Sequence, residues 1–227
     1  ELWVYVALDA PIKFSRLLIR NTSPRSRRLS ATSYVEWVLG DLRSKSAMHV
    51  VTESDPFSGA LFARNAFSIE FSGRVGFLDT DATGRSFSGD RTEFIGRNGS
   101  LANPAAMGRA RLSGRSGGGF DPCAAMQVSL ELGEGESQEI IFRLGAEQDA
   151  KAATRLVQKY RGSRPAAAAS GPSAPSTARQ CSLPPMRAAA ALAPFALADT
   201  LDHAGHAPFL THPEQVTQRI LEFTESP

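Results

Sequence analysis

The sequence has few of the features that mark disulfide-rich, membrane-spanning or nucleic-acid-binding proteins. Its 227 residues include two cysteines, Cys123 and Cys181, too few for a disulfide framework or a cysteine-ligated metal site. The formal net charge of +2 gives no electrostatic reason to bind nucleic acid. No apolar run approaches the roughly 18 residues that cross a bilayer, and no signal peptide opens the chain. We therefore expect free thiols and a cytoplasmic location, and the missing initial Met suggests a fragment of something longer.

Short runs of β-forming residues, separated by Gly, Ser, Asp or Asn, recur through the first two thirds of the chain. The pattern predicts an all-β fold, an antiparallel β-sandwich over residues 1–146, which could be incomplete on its N-terminal side. We expect residues 12–20 and 28–39 to form one hairpin, and residues 124–132 and 138–144 another. The other predicted strands are 2–8, 49–53, 59–65, 67–71, 74–78, 93–95 and 110–113.

The hydrophobic period changes near residue 147. Apolar residues spaced three and four apart predict an amphipathic linker helix over residues 147–162, ending near Tyr160. Residues 163–181 are rich in Ala, Ser and Pro and poor in large apolar side chains, which is typical of a disordered linker. Residues 182–227 form a separate tail with one helical segment.

Residues 89–107, GDRTEFIGRNGSLANPAAM, concentrate polar side chains around the apolar pair Phe94 and Ile95. Glycine content argues against a helix, so we interpret the segment as a short strand centred on residues 93–95 and an ordered surface loop. Forked donors and acceptors suit sugar hydroxyls or phosphate oxygens. The candidate binding residues of this segment are Arg91, Glu93, Arg97 and Asn98. The alternative is a loop held only by its own Arg–Glu pairs.

Five stretches occur in the order found in a known family: YVEWVLGDLR, HVVTE, GALFARN, GDRTEFIGRNG and GFDPCAAMQV, within residues 2–162. Together they resemble the β-sandwich domain of cyclic β-1,2-glucan synthases, in the glycoside phosphorylase family that includes cellobiose and chitobiose phosphorylases. The resemblance implies a carbohydrate-binding sandwich that packs on an (α/α)6 barrel, and this barrel carries the catalytic acid. None of the barrel is visible in this sequence.

The resemblance implies a β-glucan or gluco-oligosaccharide as ligand, the barrel as partner, and possible homo-oligomers. If the domain binds sugar, Trp37 or Tyr34 would stack on a sugar face while Arg91, Arg97 and Asn98 contact hydroxyls. No cofactor is expected, and the chain alone is expected to be inactive. The parent synthase could be associated with the inner membrane.

The tail suggests a different class of protein. Residues 203–223, HAGHAPFLTHPEQVTQRILEF, resemble the C-terminus of an esterase-type α/β-hydrolase, in which His206 occupies the position of the triad histidine. No nucleophile elbow accompanies it, because Ser116 in GRSGG lacks the required strand–turn–helix context. We interpret His206 as a remnant. His203, His206 and His212 have no spacing of a common metal motif.

Three hypotheses follow. The chain is a carbohydrate-binding or scaffolding sandwich without its catalytic barrel, an esterase-like hydrolase acting through His206, or an inactive fusion or truncation product. The third is compatible with the first. The glycan, the oligomeric state and the closure of the sheet are left open by the sequence.

Overall fold

The fold was analysed in a computed structural model, which describes residues 1–69 and 72–161. Antiparallel sheet is the main secondary structure of the described chain, and one long helix ends it, so the all-β prediction is confirmed. The strands are β1 (Leu2–Val6), β2 (Ile12–Arg20), β3 (Arg27–Glu36), β4 (Val50–Ser54), β5 (Leu61–Asn65), β6 (Val75–Thr80), β7 (Arg85–Asp90), β8 (Pro122–Leu132) and β9 (Ser137–Glu147). The helices are α1 (Arg43–Ser46), α2 (Arg91–Ile95) and α3 (Ala150–Tyr160), with 3-10 turns at Ala47–His49 and Ala105–Gly108.

The strands form two sheets of unequal size. The larger sheet has six strands in the order β1-β2-β9-β6-β5-β4, and the smaller has three in the order β3-β8-β7. Strand β8 alternates apolar side chains toward the larger sheet, where Met126 and Val128 are fully buried with Ile140 and Phe142 of β9. This interdigitation of two inner faces forms the main core of the sandwich.

The two predicted hairpins are wrong, because each connection crosses between sheets. Strand β2 lies in the larger sheet, between β1 and β9, whereas β3 lies in the smaller sheet and pairs with β8. In the same way, β8 lies in the smaller sheet between β3 and β7, whereas β9 lies in the larger sheet between β2 and β6. We call these two connections between the sheets, β2 to β3 and β8 to β9, corners, and Asn21 holds them together. Its Nδ2 donates to the carbonyls of Arg25, Leu132 and Gly133 at 2.9, 3.0 and 2.9 Å. A period-two pattern is the same for a hairpin and for a corner, so alternation alone cannot separate them.

Three other strand predictions are also corrected, and one strand was missed. Residues 66–69 form a turn in which Asn65 Oδ1 accepts from the Phe67 N–H at 3.0 Å, so the strand predicted at 67–71 is wrong where the structure describes it. Residues 110–113 cross the small sheet without pairing as a strand. The third, residues 93–95, lies in α2. Strand β7 was overlooked because its sequence, RSFSGD, has the Gly and Ser content of a turn.

Helix α3 covers the outer face of the larger sheet. Asp149 caps it by accepting from the Ala152 N–H at 2.8 Å, and Leu156, Val157 and Tyr160 are buried against Phe14 and its neighbours in a second apolar cluster. The predicted helix is thus present, and it ends at Tyr160 as expected. The predicted linker and tail lie outside the described residues.

A buried ion-pair network joins both sheets and α3. Asp79 on β6 and Arg143 on β9 are fully buried, with Nη1 of Arg143 3.5 Å from Oδ2 of Asp79. Arg161, just after α3, pairs with the other oxygen of Asp79, and Arg85 of β7 approaches that oxygen at 3.9 Å. Arg143 also donates to Asp81 at 2.9 Å. The carboxylate of Asp79 therefore links its own strand β6 to β7, to β9 and to the residue that follows α3.

Replacing Asp79 by Asn should lower the free energy of unfolding by about 3 kcal/mol, because Arg143 and Arg161 lose their shared anion while Arg143 stays buried. Urea titration followed by circular dichroism measures the change. As a control, Glu53→Gln breaks an exposed pair with Arg64 and should cost less than about 1 kcal/mol. A cost for Asp79→Asn as small as that of the control would show that the network does not stabilise the fold.

Candidate functional site

The segment predicted as a strand at residues 93–95 folds as the short helix α2 instead. Asp90, at the end of β7, caps the helix by accepting from the Thr92 N–H at 2.9 Å. Phe94 and Ile95 are buried against Ala106, Leu112 and Ala125, so the apolar pair anchors the helix on the small sheet. The glycine content that argued against a helix did not exclude one, because the glycines flank α2 and the helix is a single turn with a buried side.

Two glycines end α2 and shape the turn that follows. Gly96 has φ of 93°, a conformation that favours glycine. A Cβ on Gly99 would lie 2.0 Å from the carbonyl oxygen of Ile95, so no other residue fits there without a backbone shift. Arg97 and Asn98 lie between these glycines and are exposed. Neither makes a side-chain hydrogen bond or ion pair to another described residue, so both present free polar groups on a fixed turn.

Glu93 points inward and accepts four hydrogen bonds. Its carboxylate receives Ser88 Oγ at 2.6 Å, Ser113 Oγ at 2.7 Å, the Ser113 N–H at 3.1 Å and Arg109 Nη1 at 3.1 Å. Burial alone would raise the pKa of Glu93, but the hydrogen bonds from the two serines and the charge of Arg109 lower it below its usual value. Glu93 thus pins the segment 109–113 against the end of β7.

Arg91 belongs to a four-membered ion-pair cluster that the sequence did not reveal. Its Nε donates to Glu36 Oε1 at 2.8 Å and its Nη1 to Asp121 Oδ2 at 3.4 Å. Arg43 pairs with the same two carboxylates. Burial opposes ionisation of Glu36, yet the hydrogen bonds from Arg91 and Tyr34 hold the pKa of Glu36 below normal. Glu36 and Arg43 are close in sequence, but Arg91 and Asp121 are 55 and 78 residues away from their respective partners Glu36 and Arg43, so the sequence did not indicate that the four residues meet.

The two candidate stacking residues do not present an open aromatic face. Trp37 is 6 % exposed and packs in the main core, where its ring lies 3.0 Å from the position that a Cβ on Gly76 would take. Tyr34 stacks on Phe94 with 4.6 Å between ring centroids and donates to Glu36 at 2.9 Å. The structure therefore joins Tyr34 and Arg91 through Glu36 and encloses Glu93 separately, while Arg97 and Asn98 are exposed.

Other reactive groups within residues 1–69 and 72–161 offer no catalytic arrangement. No cluster of three or more His, Cys, Asp or Glu side chains in this part of the chain could hold a metal ion. Ser116 lies in an irregular segment followed by strand β8 rather than by a helix, as we expected. Cys123 is a free, fully buried thiol whose pKa is raised by burial. None of the described helices is long and apolar enough to span a membrane.

The described residues form a two-sheet antiparallel β-sandwich domain, with helix α3 on the outer face of the larger sheet and a polar loop on the smaller sheet. The family described as "Glycosyl hydrolase 94, supersandwich domain" matches residues 1–163, which is most of the chain. The chain therefore belongs to this family, and the resemblance identified from the sequence is confirmed.

One curated relative is the cyclic β-(1,2)-glucan synthase NdvB of Rhizobium meliloti (strain 1021). The two sequences are 37% identical over 136 residues, which is 60% of this chain and 5% of the synthase. The chain thus spans only a small part of the length of this relative. The family match ends at residue 163, so it gives no support to the α/β-hydrolase prediction for residues 182–227. His203, His206 and His212 lie outside the described residues.

Replacing Glu93 by Gln should lower the free energy of unfolding at pH 7 by about 2 kcal/mol, since hydrogen bonds to a charged acceptor are lost. Because the folded pKa of Glu93 is depressed, its contribution is present at neutral pH. It declines as pH falls below the value of an unfolded Glu, about 4.3, through the folded pKa. Thermal melts between neutral and acid pH should therefore show a smaller loss of stability in the variant than in the wild type.

The matched control is Glu131→Gln, which removes the charge of an exposed glutamate on β8. This control should keep the wild-type pH profile. Identical acid-induced losses in the Glu93→Gln variant and the wild type would contradict the assigned role of Glu93.

Proposed function

We propose that this chain is a carbohydrate-contacting and scaffolding domain of a longer glucan synthase or phosphorylase of its family. The proposal is supported by the family match over residues 1–163 and by a relative named as a cyclic β-(1,2)-glucan synthase. Because the chain spans 5% of that relative, the domain would act beside a catalytic domain supplied elsewhere in the polypeptide. We place this work in the cytoplasm, in keeping with the free thiol of Cys123.

The observation that carries the proposal is the exposed pair Arg97 and Asn98, held between Gly96 and Gly99. A guanidinium donates in a planar fork, and a carboxamide both donates and accepts, so the two together match adjacent sugar hydroxyls. Their turn is fixed by α2, whose buried residues pack on the small sheet. Ordering this turn on binding would therefore cost little conformational entropy.

Arg91 and Glu93 have a supporting part in this proposal. Their side chains are engaged with Glu36, Asp121, Ser88 and Ser113, so they hold the turn in place. Trp37 is buried, and Tyr34 is covered on one side by Phe94. Without an aromatic platform from either residue, the affinity for a short β-1,2-gluco-oligosaccharide should be weak, with a Kd on the order of 1 mM.

Arg97→Ala should weaken binding of linear β-1,2-gluco-oligosaccharides about tenfold, because the forked donor is lost while nothing in the fold rests on it. Titration followed by two-dimensional NMR measures the Kd, and the backbone signals of Arg97, Asn98 and Gly99 should shift in the wild type. The matched control is Arg20→Ala, an exposed arginine at the end of β2. Equal affinities for the wild type and Arg97→Ala would refute the assignment of this turn.

The chain alone should neither consume nor release phosphate with β-1,2-glucan. In the resembled family the catalytic acid is carried by the barrel, and the described residues provide no open acid beside the Arg97 turn, because Glu93 is enclosed by four donors. A colorimetric phosphate assay at high protein concentration tests this, with a barrel-containing family enzyme as the positive control. Measurable turnover by the 227-residue chain would overturn the scaffolding role.

A further inference from the structure

Three polar side chains form a row across the outer face of the small sheet. Gln127 of β8 is paired in register with Thr32 of β3 on one side and with Ser86 of β7 on the other. It lies on the face opposite the main core, because its neighbours Met126 and Val128 both belong to that core. Side chains that are opposite each other on neighbouring strands have Cβ atoms about 5 Å apart, so the three polar groups are close neighbours.

The segment that follows α2 covers the centre of this row. Ala125, two residues before Gln127 on the same face of β8, belongs to the same apolar cluster as Leu112. Two residues after Gln127, the hydroxyl of Ser129 donates to the carbonyl of Ala110 at 3.4 Å. Gln127 lies between these two contacts and is only 1 % exposed, so the segment encloses its carboxamide.

The polar atoms at the centre of the row have no hydrogen-bond partner within residues 1–69 and 72–161. Both carboxamide atoms of Gln127, Nε2 and Oε1, are buried in this way, and so is the hydroxyl oxygen of Thr32. Ser86 differs, because its Oγ accepts from the Leu112 N–H at 3.0 Å. Since a buried polar group without a partner costs free energy, native proteins pair such groups with the chain or with ordered water.

The chemistry of the row favours a small neutral ligand. A carboxamide offers two N–H donors and an accepting oxygen, and a hydroxyl both donates and accepts. The three side chains of the row carry no charge, so they cannot balance an enclosed ion. A ligand held here has to donate and accept at once, as water does with about three hydrogen bonds at a typical buried site.

We propose that this row is a binding site for ordered water, in which one water bridges the carboxamide of Gln127 and the hydroxyl of Thr32. The water accepts from Gln127 Nε2 and shares a hydrogen bond with Thr32 Oγ1. It thereby joins β8 and β3 through their side chains, beneath the segment that follows α2. The inference does not depend on glucan binding, since the row is separate from the exposed turn at Arg97 and Asn98.

Relaxation dispersion of the water oxygen, recorded on the full 227-residue chain in isotope-enriched water, detects long-lived internal waters. Gln127→Met keeps the length of the side chain but removes the carboxamide, so the dispersion amplitude should fall below that of the wild type. Thr32→Val removes the bridged hydroxyl with little change of shape and should lower the amplitude as well. Gln148→Met changes an exposed glutamine just after β9 and is the matched control, which should keep the wild-type amplitude.

The double variant Thr32→Val/Gln127→Met tests whether the two side chains share one water. Its loss of amplitude should equal that of either single variant, because all three changes remove the same bridge. A loss equal to the sum of the two single losses would contradict the bridge, since it would mean two separate waters. An unchanged amplitude in Gln127→Met would overturn the water site altogether.

Circular dichroism melts establish that each variant is folded before its amplitude is compared. If Gln127→Met does not fold, Thr32→Val decides the question, because its hydroxyl lies at the partly exposed side of the row. An amplitude in folded Thr32→Val equal to that of the wild type would then refute the bridge.

Discussion

The buried guanidinium of Arg143 is the group on which the architecture most depends. It lies on the central strand β9, and its charge is balanced by Asp79 and Asp81 rather than by solvent. Asp79 in turn receives Arg161 from the end of α3 and faces Arg85 from the small sheet. A buried charge in a low-dielectric interior requires its partners to be present together. The network thus makes the positions of β6, β7, β9 and α3 conditional on one another.

The loop that follows β7 is held by a second set of ion pairs and hydrogen bonds, which are partly exposed. Two carboxylates, Glu36 and Asp121, share two arginines, while Glu93 collects donors from β7 and from the segment that follows. Among the candidate binding residues of the loop, the side chains of Arg91 and Glu93 are engaged in these interactions. Arg97 and Asn98 make no side-chain hydrogen bond to another described residue, so the groups that hold the loop differ from the groups that the proposal assigns to sugar binding.

Much of the fold could be predicted because strands β1, β2, β4, β5, β8 and β9 carry clear β-forming runs, and α3 carries a helical period. Sheet membership could not, because the corner at Asn21 depends on contacts with Leu132 and Gly133, more than a hundred residues away. Helix α2 was misjudged since its stability comes from the Asp90 cap and from the burial of Phe94 and Ile95. For the site, local polarity indicated Arg97 and Asn98 as candidates, whereas the ion pairs that join Glu36 and Arg43 to Arg91 and Asp121 form only in the folded chain.

The amide of Asn21 has a consequence for the order in which the chain becomes structured. Its partners at Leu132 and Gly133 are separated from it by 111 and 112 residues, so the corner closes only after the whole intervening chain has been synthesised. Until then β2 lacks β9 and β3 lacks β8, and their apolar faces stay available to other nascent chains. Such long-range pairing is slow to form, because the entropy of loop closure is spent before any contact is gained. The first strands of the described domain therefore cannot complete their pairing until its last strands have been synthesised.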